Sequence, residues 1–253
     1  MRPTLKDDFL KLEKALTIEC PSMITEALTL SGEIANPLTA NPRQIWEKIW
    51  DKPLFANTKV EIGEIYKRRL LGEIDEAWTF IGVDPERFKV NRIGSGLSKS
   101  SFQVLGKIAI NSKIAGHRLY SLQNGAMALK ARCSANPNAP YSDLNELSFR
   151  DALQKVKAEM GFGWGNITVS HFLTDIGLAV KPDFHLVNTI KYLGLPVSGT
   201  INKIPNQFQT IEINNGVREL LLQLDDGFSP NRLRYLDKVL MEIDKRILKI
   251  NQP

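Results

Sequence analysis

The chain has 253 residues, enough to bury a substantial core in one large domain or in two lobes. Its 33 Lys and Arg against 28 Asp and Glu give a formal charge of +5, a modest excess that suits an anionic partner without requiring one. Two cysteines and three histidines exclude a four-cysteine iron–sulfur cluster and offer no zinc spacing.

The start of the chain predicts neither a secretion signal nor a membrane anchor. Residues 1–8 have no apolar core of the kind a signal peptide needs, and no apolar run along the chain is long enough to cross a bilayer. We therefore expect a cytoplasmic protein that has no contact with a membrane. We also expect a monomer.

Helices are predicted along most of the first half. Apolar residues at helical spacing predict helices over 4–18, 42–50 and 60–80. The stretch 88–133 has no clear period and is interpreted as mostly helical, although residues 103–110 fit a strand as well as a helix.

A cluster of Asn, Pro and small residues over 134–140 predicts a linker. We therefore divide the chain into an N-terminal helical lobe over 1–135, which supplies part of a ligand pocket, and a second lobe over 136–253. In the second lobe, Ser229 followed by Pro230 predicts the start of a long C-terminal helix.

The most informative segment is a turn with glycines at alternate positions, Gly161, Gly163 and Gly165. Amphipathic helical segments precede it and follow it. Because glycine has no Cβ, the backbone N–H groups of this turn can approach a bulky anion, and the following helix points its positive N-terminal end to the same place. The spacing favours phosphate binding, and an ordinary helix end followed by a tight loop is the alternative.

This turn and the later segment Pro182-Asp183-Phe184-His185 resemble the helix-hairpin-helix DNA glycosylase superfamily, which includes endonuclease III and the 8-oxoguanine DNA glycosylases. In that family an apolar-Pro-Gly-apolar-Gly hairpin precedes a helix and then an aspartate. Here Gly163-Trp164-Gly165 fits the hairpin, with Phe162 in place of proline, and the clear match covers residues 148–195. The resemblance implies an all-α, two-lobed helical fold of the glycosylase kind, with DNA as the partner.

The resemblance further implies a DNA N-glycosylase that flips a modified or damaged base out of DNA and hydrolyses its N-glycosidic bond. Asp183 would stabilise the positive charge that develops on the sugar. Taken alone, Pro182-Asp183 is typical of a helix N-cap, a role that is compatible with catalysis.

One departure from the family bears on strand cleavage. Relatives that also cut the backbone have a lysine where this chain has Ile167, which implies an enzyme without lyase activity. Lys181 is an alternative amine. Ile167 and Asp183 are separated by 16 positions, less than in the family. No cofactor is implied, and a monovalent cation at the hairpin remains open.

Further site residues follow from the resemblance. Trp164 fits the hairpin core as well as a DNA contact, and His185 fits either a phosphate contact or an ordinary surface histidine. The implied DNA-binding residues are Gly163, Trp164, Gly165, Asn166, Thr168 and His185, and the candidates for the base pocket are Trp78, Phe88 and Phe184.

The base itself stays open: an oxidised purine, an alkylated purine or a modified cytosine in foreign DNA, with a role in repair or in antiviral defence. The alternative function is a non-catalytic DNA-binding protein in which Asp183 only caps a helix. Basic residues that would support either function are Lys67, Arg68, Arg69, Lys89, Arg92, Lys99, Arg118, Lys130 and Arg132, although each cluster also fits an ordinary solvated surface.

Two nucleotide-cofactor interpretations are excluded by spacing. The glycine- and serine-rich stretch 92–100 lacks the second glycine directly before a lysine that a Walker motif needs. The turn at 161–165 follows a predicted helix, whereas a dinucleotide fingerprint follows a strand.

Overall fold

The computed structural model of the chain describes residues 4–73, 90–94, 98–105, 113–199, 205–225 and 227–249. This part of the chain is mostly helical, as the sequence predicts. The helices are α1 (Leu5–Glu19), α2 (Pro21–Gly32), α3 (Pro42–Ile49), α4 (Lys52–Phe55), α5 (Val60–Glu73), α6 (Gly116–Ala135), α7 (Phe149–Met160), α8 (Asn166–Asp175), α9 (Phe184–Tyr192), α10 (Gln207–Leu224) and α11 (Pro230–Ile243). Two short strands, β1 (Val90–Arg92) and β2 (Phe102–Val104), lie between α5 and α6, and Asp244–Leu248 form a π-helical turn after α11.

The chain divides into two compact units that differ from the predicted lobes. Unit 1 comprises Met1–Asn36, Glu146–Ala152 and Leu173–Pro253, and unit 2 comprises Pro37–Asn145 and Leu153–Phe172. The first two helices therefore belong with the C-terminal ones and not with the rest of the N-terminal half. The reason is packing, since α1 and α2 both contact α11.

Unit 1 has a continuous apolar core to which helices from both ends of the chain contribute. Phe9 and Leu16 of α1 are fully buried in the same cluster as Leu236 and Leu240 of α11. The hydroxyl of Ser229 caps α11 by accepting a hydrogen bond from the N–H of Arg232, and Pro230 occupies the first helical position, which confirms the predicted start.

Unit 2 contains helices and one antiparallel ribbon. The side chain of Asn41 caps α3, and Pro42 occupies its first helical position. α5 confirms the predicted 60–80 helix as far as Glu73. The expectation that 88–133 is mostly helical is wrong in part. β1 pairs with β2 there, with Val90 opposite Val104, because the apolar side chains of Val90 and Phe102 are buried while their strand neighbours face outward.

The predicted linker at 134–140 lies within unit 2. Arg132 Nη1 donates a hydrogen bond to the carbonyl of Pro140 at 2.9 Å and forms an ion pair with Asp143 at 2.6 Å. Asn136 Nδ2 also donates to Ser142 Oγ at 3.2 Å. These contacts fold the segment back onto the end of α6, so its breaker residues make a turn and not a connection between lobes.

The helix, turn, helix order predicted around the glycines is present. α7 ends at Met160, α8 begins at Asn166, and α9 begins directly after Asp183. α7 and α8 each have residues in both units.

Candidate functional site

The glycine turn adopts the backbone conformation that its residue types permit. Gly161 and Gly163 have φ angles of +67° and +86°, in the region that side chains disfavour. The N–H of Gly161 closes α7 on the carbonyl of Lys157 at 2.9 Å, and the N–H of Trp164 donates to the carbonyl of Gly161 at 3.2 Å. The turn is therefore tight and internally hydrogen bonded.

Trp164 anchors the turn to α6. Its side chain is 1% exposed, and its Nε1 donates a hydrogen bond to the carbonyl of Ser121 at 2.7 Å. A Cβ at position 163 would overlap the Ser121 side chain, so this position needs glycine for packing as well as for its φ angle. The assignment of Trp164 as a DNA contact is corrected, because its side chain is buried and its one donor is engaged.

Phe162 packs into an aromatic cluster. Its ring centroid lies 4.7 Å from that of Phe102 on β2 and 6.0 Å from that of Tyr120 on α6. Asn124 Nδ2 donates to the carbonyl of Phe162 at 3.3 Å. The ribbon and α6 thus pack against the turn through Phe162.

The outer edge of the turn is open. Gly165 is exposed, and a Cβ added there would meet nothing within 4 Å. Asn166 accepts a hydrogen bond from Lys157 Nζ at 3.1 Å, Thr168 is half-buried, and the Ile167 side chain is 60% exposed. Since the first N–H groups of a helix have no partner within it, and since the first turn of α8 contains no acidic residue, this edge is suited to bind an anion such as a phosphate.

Asp183 caps α9. Its Oδ1 accepts a hydrogen bond from the N–H of Leu186 at 2.8 Å, which is the N-cap role expected from the sequence. The side chain is half-buried, and its Oδ2 accepts no hydrogen bond from the residues that the structure describes. One carboxylate oxygen is therefore fixed by the helix, and the other is without a partner among the described residues.

Buried polar side chains hold the segment that leads to Asp183. The N–H of Val180 donates to Asn214 Oδ1 at 2.8 Å, and the N–H of Lys181 donates to Asp237 Oδ1 at 2.7 Å. Both acceptors are almost fully buried. The position of Asp183 is thus set by α10 and α11 as well as by its own helix.

Asp237 is the residue that the sequence interpretation missed. Burial raises its pKa to about 6, against the opposing charge of Arg234, which forms an ion pair with its Oδ2, and the charge of Asp183 raises it further. The available signal was its spacing: Asp237 lies four residues after Leu233 and three before Leu240, so this carboxylate falls on the apolar stripe of α11.

His185 is oriented by a buried carboxylate. Its Nδ1 lies 2.7 Å from Asp244 Oδ2, and Asp244, which is fully buried, also accepts a hydrogen bond from Asn188 Nδ2 at 3.1 Å. The imidazole is 30% exposed, so part of the ring is accessible at the surface while Nδ1 is held by Asp244.

The remaining assigned residues fall into two groups. Lys181 and Phe184 are exposed beside Asp183, while Trp78 and Phe88 lie outside the described residues. The structure brings Lys181, Asp183, Phe184 and His185 together in unit 1, and it places Gly163, Trp164, Gly165, Asn166 and Thr168 in unit 2.

Several of the proposed basic contributors are used inside the protein. Arg118 Nη1 donates to the carbonyls of Pro53, Leu54 and Ala56 at 2.8–3.0 Å. Arg132 pairs with Asp143 and Glu159 at 2.6 Å, and Lys67 pairs with Asp51 at 3.3 Å. The others that the structure describes and that stay exposed are Arg68, Arg69, Arg92, Lys99 and Lys130.

The positive charge is concentrated in unit 2. That unit has 18 Lys and Arg against 11 Asp and Glu, a net charge of +7, whereas unit 1 has 15 against 17, a net charge of −2. The unit with the glycine turn is therefore the one that would attract a polyanion.

The described residues contain no group of three or more His, Cys, Asp and Glu placed to share a metal ion. Within the same ranges, no helix combines the length and the apolar character needed to cross a membrane. Comparison of the chain with protein-family models, with curated proteins and with solved structures gave no match.

Proposed function

We propose that the protein is a DNA glycosylase in which Asp183 is the catalytic carboxylate. The observation that supports this most directly is the state of Asp183, which caps α9 with Oδ1 and leaves Oδ2 without a partner among the described residues. The second oxygen is available to water or to a ligand while the cap stays in place. The glycine turn, with an open edge at Gly165, supports DNA as the partner.

In the proposed reaction, water attacks C1′ of the sugar, the new C–O bond replaces the C–N bond to the base, and the base leaves with a proton. Positive charge develops on the sugar as the C–N bond breaks, and the Asp183 carboxylate stabilises it. The same carboxylate orients the attacking water and accepts one of its protons, which passes through solvent to the departing base, so the carboxylate is regenerated and the net change is the addition of one water. The target nucleotide must leave the stack first, at a cost of a few kcal/mol, which is least for a damaged or mismatched base.

We further propose that the enzyme hydrolyses the bond without cutting the strand. Ile167 stands where lyases of the resembling family have their nucleophilic lysine, and an aliphatic side chain cannot form a Schiff base. Lys181, exposed two residues before Asp183, is the alternative amine. The substrate class is a modified or damaged base, either an oxidised or alkylated purine or a modified cytosine in foreign DNA.

The test is base release from duplexes that contain a panel of these bases, with wild type, Asp183→Asn and the control Asp7→Asn. Asparagine keeps an oxygen that accepts from the N–H of Leu186, so the variant retains the cap and loses only the charge. We expect Asp183→Asn to bind DNA as the wild type does and to lose base release by orders of magnitude. Asp7 is an exposed carboxylate at the start of α1, and its substitution is expected to leave release unchanged.

Each scored product distinguishes the alternatives. Strand breaks that appear only after hot alkali indicate a glycosylase without lyase activity, and breaks without alkali implicate Lys181. Equal release by wild type and Asp183→Asn would remove this mechanism. DNA binding without release from any substrate would support a non-catalytic DNA-binding protein.

A further inference from the structure

A segment of unit 2 has an unusual charge pattern. Residues 87–142, here called the acid-free segment, contain nine Lys and Arg and no Asp or Glu, whereas 28 of the 253 residues of the whole chain are acidic. The segment includes β1, β2 and α6. Clustering of one charge sign on one part of a protein is the electrostatic footprint of a nucleic-acid-binding surface.

Only part of this charge is used in folding. Arg118 and Arg132 of α6 are engaged with backbone carbonyls and with acidic residues outside the segment. Lys99, in the turn between β1 and β2, and Lys113, shortly before α6, are exposed and have no acidic partner among the described residues.

These lysines lie on elements that are packed together. Phe102, which directly follows the turn that contains Lys99, has its carbonyl oxygen 2.9 Å from the position of a Cβ at Gly116, the first residue of α6. The pKa of His117 is lowered by burial first and then by the charges of Arg118 and Lys99, so positive groups gather at this end of α6.

The same elements support the glycine turn. The Phe102 ring lies 4.7 Å from Phe162 and 5.0 Å from Tyr120, so the ribbon contacts the turn directly. A duplex held at the glycine turn would present neighbouring phosphates to the protein surface beside that turn. Lys and Arg are common phosphate contacts.

We propose that the β1–β2 ribbon and the start of α6 form a second DNA-backbone-binding surface beside the glycine turn, with Lys99 and Lys113 as phosphate contacts. The inference rests on the proposed function only in taking DNA as the partner. It does not depend on the proposed catalysis. Contacts of this kind position the duplex and are independent of base sequence.

The test is the salt dependence of binding to an undamaged DNA duplex, measured for wild type, for Lys99→Gln/Lys113→Gln and for the matched control Lys6→Gln/Lys14→Gln. The control removes two exposed lysines of α1 in unit 1. Each lost phosphate contact reduces the slope of log Kobs against log salt concentration by about 0.9, so we expect the slope of the ribbon variant to fall by about 2. The control is expected to keep the wild-type slope, and Lys99→Glu/Lys113→Glu is expected to weaken binding further.

An unchanged slope for Lys99→Gln/Lys113→Gln, at an unchanged melting temperature, would overturn the proposal. DNA as the partner would be overturned if double-stranded RNA of the same sequence bound the wild type with the same affinity as DNA and if the ribbon variant lost the same amount of slope on both. The base-release assay tests the proposed function separately from this surface. If the ribbon variant has a reduced slope but the wild-type protein releases no base, the surface is supported and the glycosylase is rejected. If the wild-type protein releases base but the slope of the ribbon variant is unchanged, the glycosylase is supported and the surface is rejected.

Discussion

At the scale of single residues, Asp183 and Asp237 are two neighbouring carboxylates in different surroundings. Asp183 is half-buried and keeps one oxygen without a described partner, while Asp237 is buried and accepts hydrogen bonds from the N–H of Lys181 and from Arg234. Burial holds the pKa of Asp237 at about 6, so it becomes negatively charged only as the pH approaches neutrality. The charge that Asp237 then carries is paired with Arg234.

The raised pKa of Asp237 predicts a defined pH dependence of stability. A carboxyl whose pKa is about 6 in the folded protein and 3.8 in the unfolded chain binds more protons when folded than when unfolded between these two pH values. Its contribution to stability is therefore fully present below pH 3.8 and is lost as the pH rises through 6, a change on the order of 2–3 kcal/mol. In urea unfolding from pH 4 to pH 7.5, wild type should lose stability relative to Asp237→Asn.

The control for this series is Asp8→Asn, which removes a half-exposed carboxylate of α1. The difference between wild type and Asp8→Asn is expected to change little over the same pH range. If the stabilities of wild type and Asp237→Asn stayed parallel between pH 4 and pH 7.5, the buried Asp237 would not titrate in this interval.

At the scale of elements, Gly163 and Gly165 of the glycine turn differ in what a side chain at each position would meet. Gly163 has a φ of +86° and abuts Ser121, so any side chain there is strained and collides. Gly165 has open space around it, so nothing within the described protein prevents a Cβ there. A need for glycine at 165 would come from a ligand that approaches the backbone.

The pair Gly163→Ala and Gly165→Ala separates folding from binding. Gly163→Ala is expected to lower the free energy of unfolding by at least about 1–2 kcal/mol, from backbone strain alone. Gly165→Ala is expected to unfold at the wild-type temperature and to bind duplex DNA more weakly. Thermal melting and a binding titration measure the two effects. Wild-type affinity in Gly165→Ala would show that phosphate does not approach this edge.

Local patterns predicted the elements around the site better than they predicted the partners of its side chains. α7, α8 and α9 follow from apolar periodicity and from the glycines and Pro182, which act within a few residues. The burial of Trp164 depends on Ser121, 43 residues earlier in the chain, and the position of Lys181 depends on Asp237, 56 residues later. No local pattern includes such contacts. The sequence leaves a strand open only over 103–110, and it does not predict β1 or the pairing of β1 with β2, because each strand has only three residues.

At the scale of the whole molecule, the chain is organised by discontinuous segments. The breaker-rich stretch 134–140 is the strongest linker signal in the sequence, but it stays within unit 2. Unit 1 is instead built from three separate segments of the chain. Composition identifies where a chain turns and does not identify which turns separate units, because that depends on packing between residues far apart in sequence.

Arg218 on α10 joins the middle segment of unit 1 to its C-terminal segment. Its guanidinium donates to the carbonyls of Leu147 and Leu178 at 2.9 Å each and lies 4.7 Å from the Phe228 ring centroid. Burial lowers its pKa to about 10, and no acidic side chain among the described residues pairs with it. Its stabilising effect therefore comes from hydrogen bonds to backbone and from packing.

Arg218→Met tests whether these hydrogen bonds hold the short middle segment, Glu146–Ala152, in unit 1. Methionine preserves most of the apolar contact and leaves two carbonyls without their donor, at about 1–3 kcal/mol for each buried group. We expect a lower urea midpoint, with Arg150→Met, an exposed residue of the same segment, as the control that leaves the midpoint unchanged. Equal midpoints for the two variants would mean that packing of α7 alone fixes the segment. A selective loss with Arg218→Met would mean that one cation holds the middle segment against the C-terminal segment of the unit in which Asp183 lies.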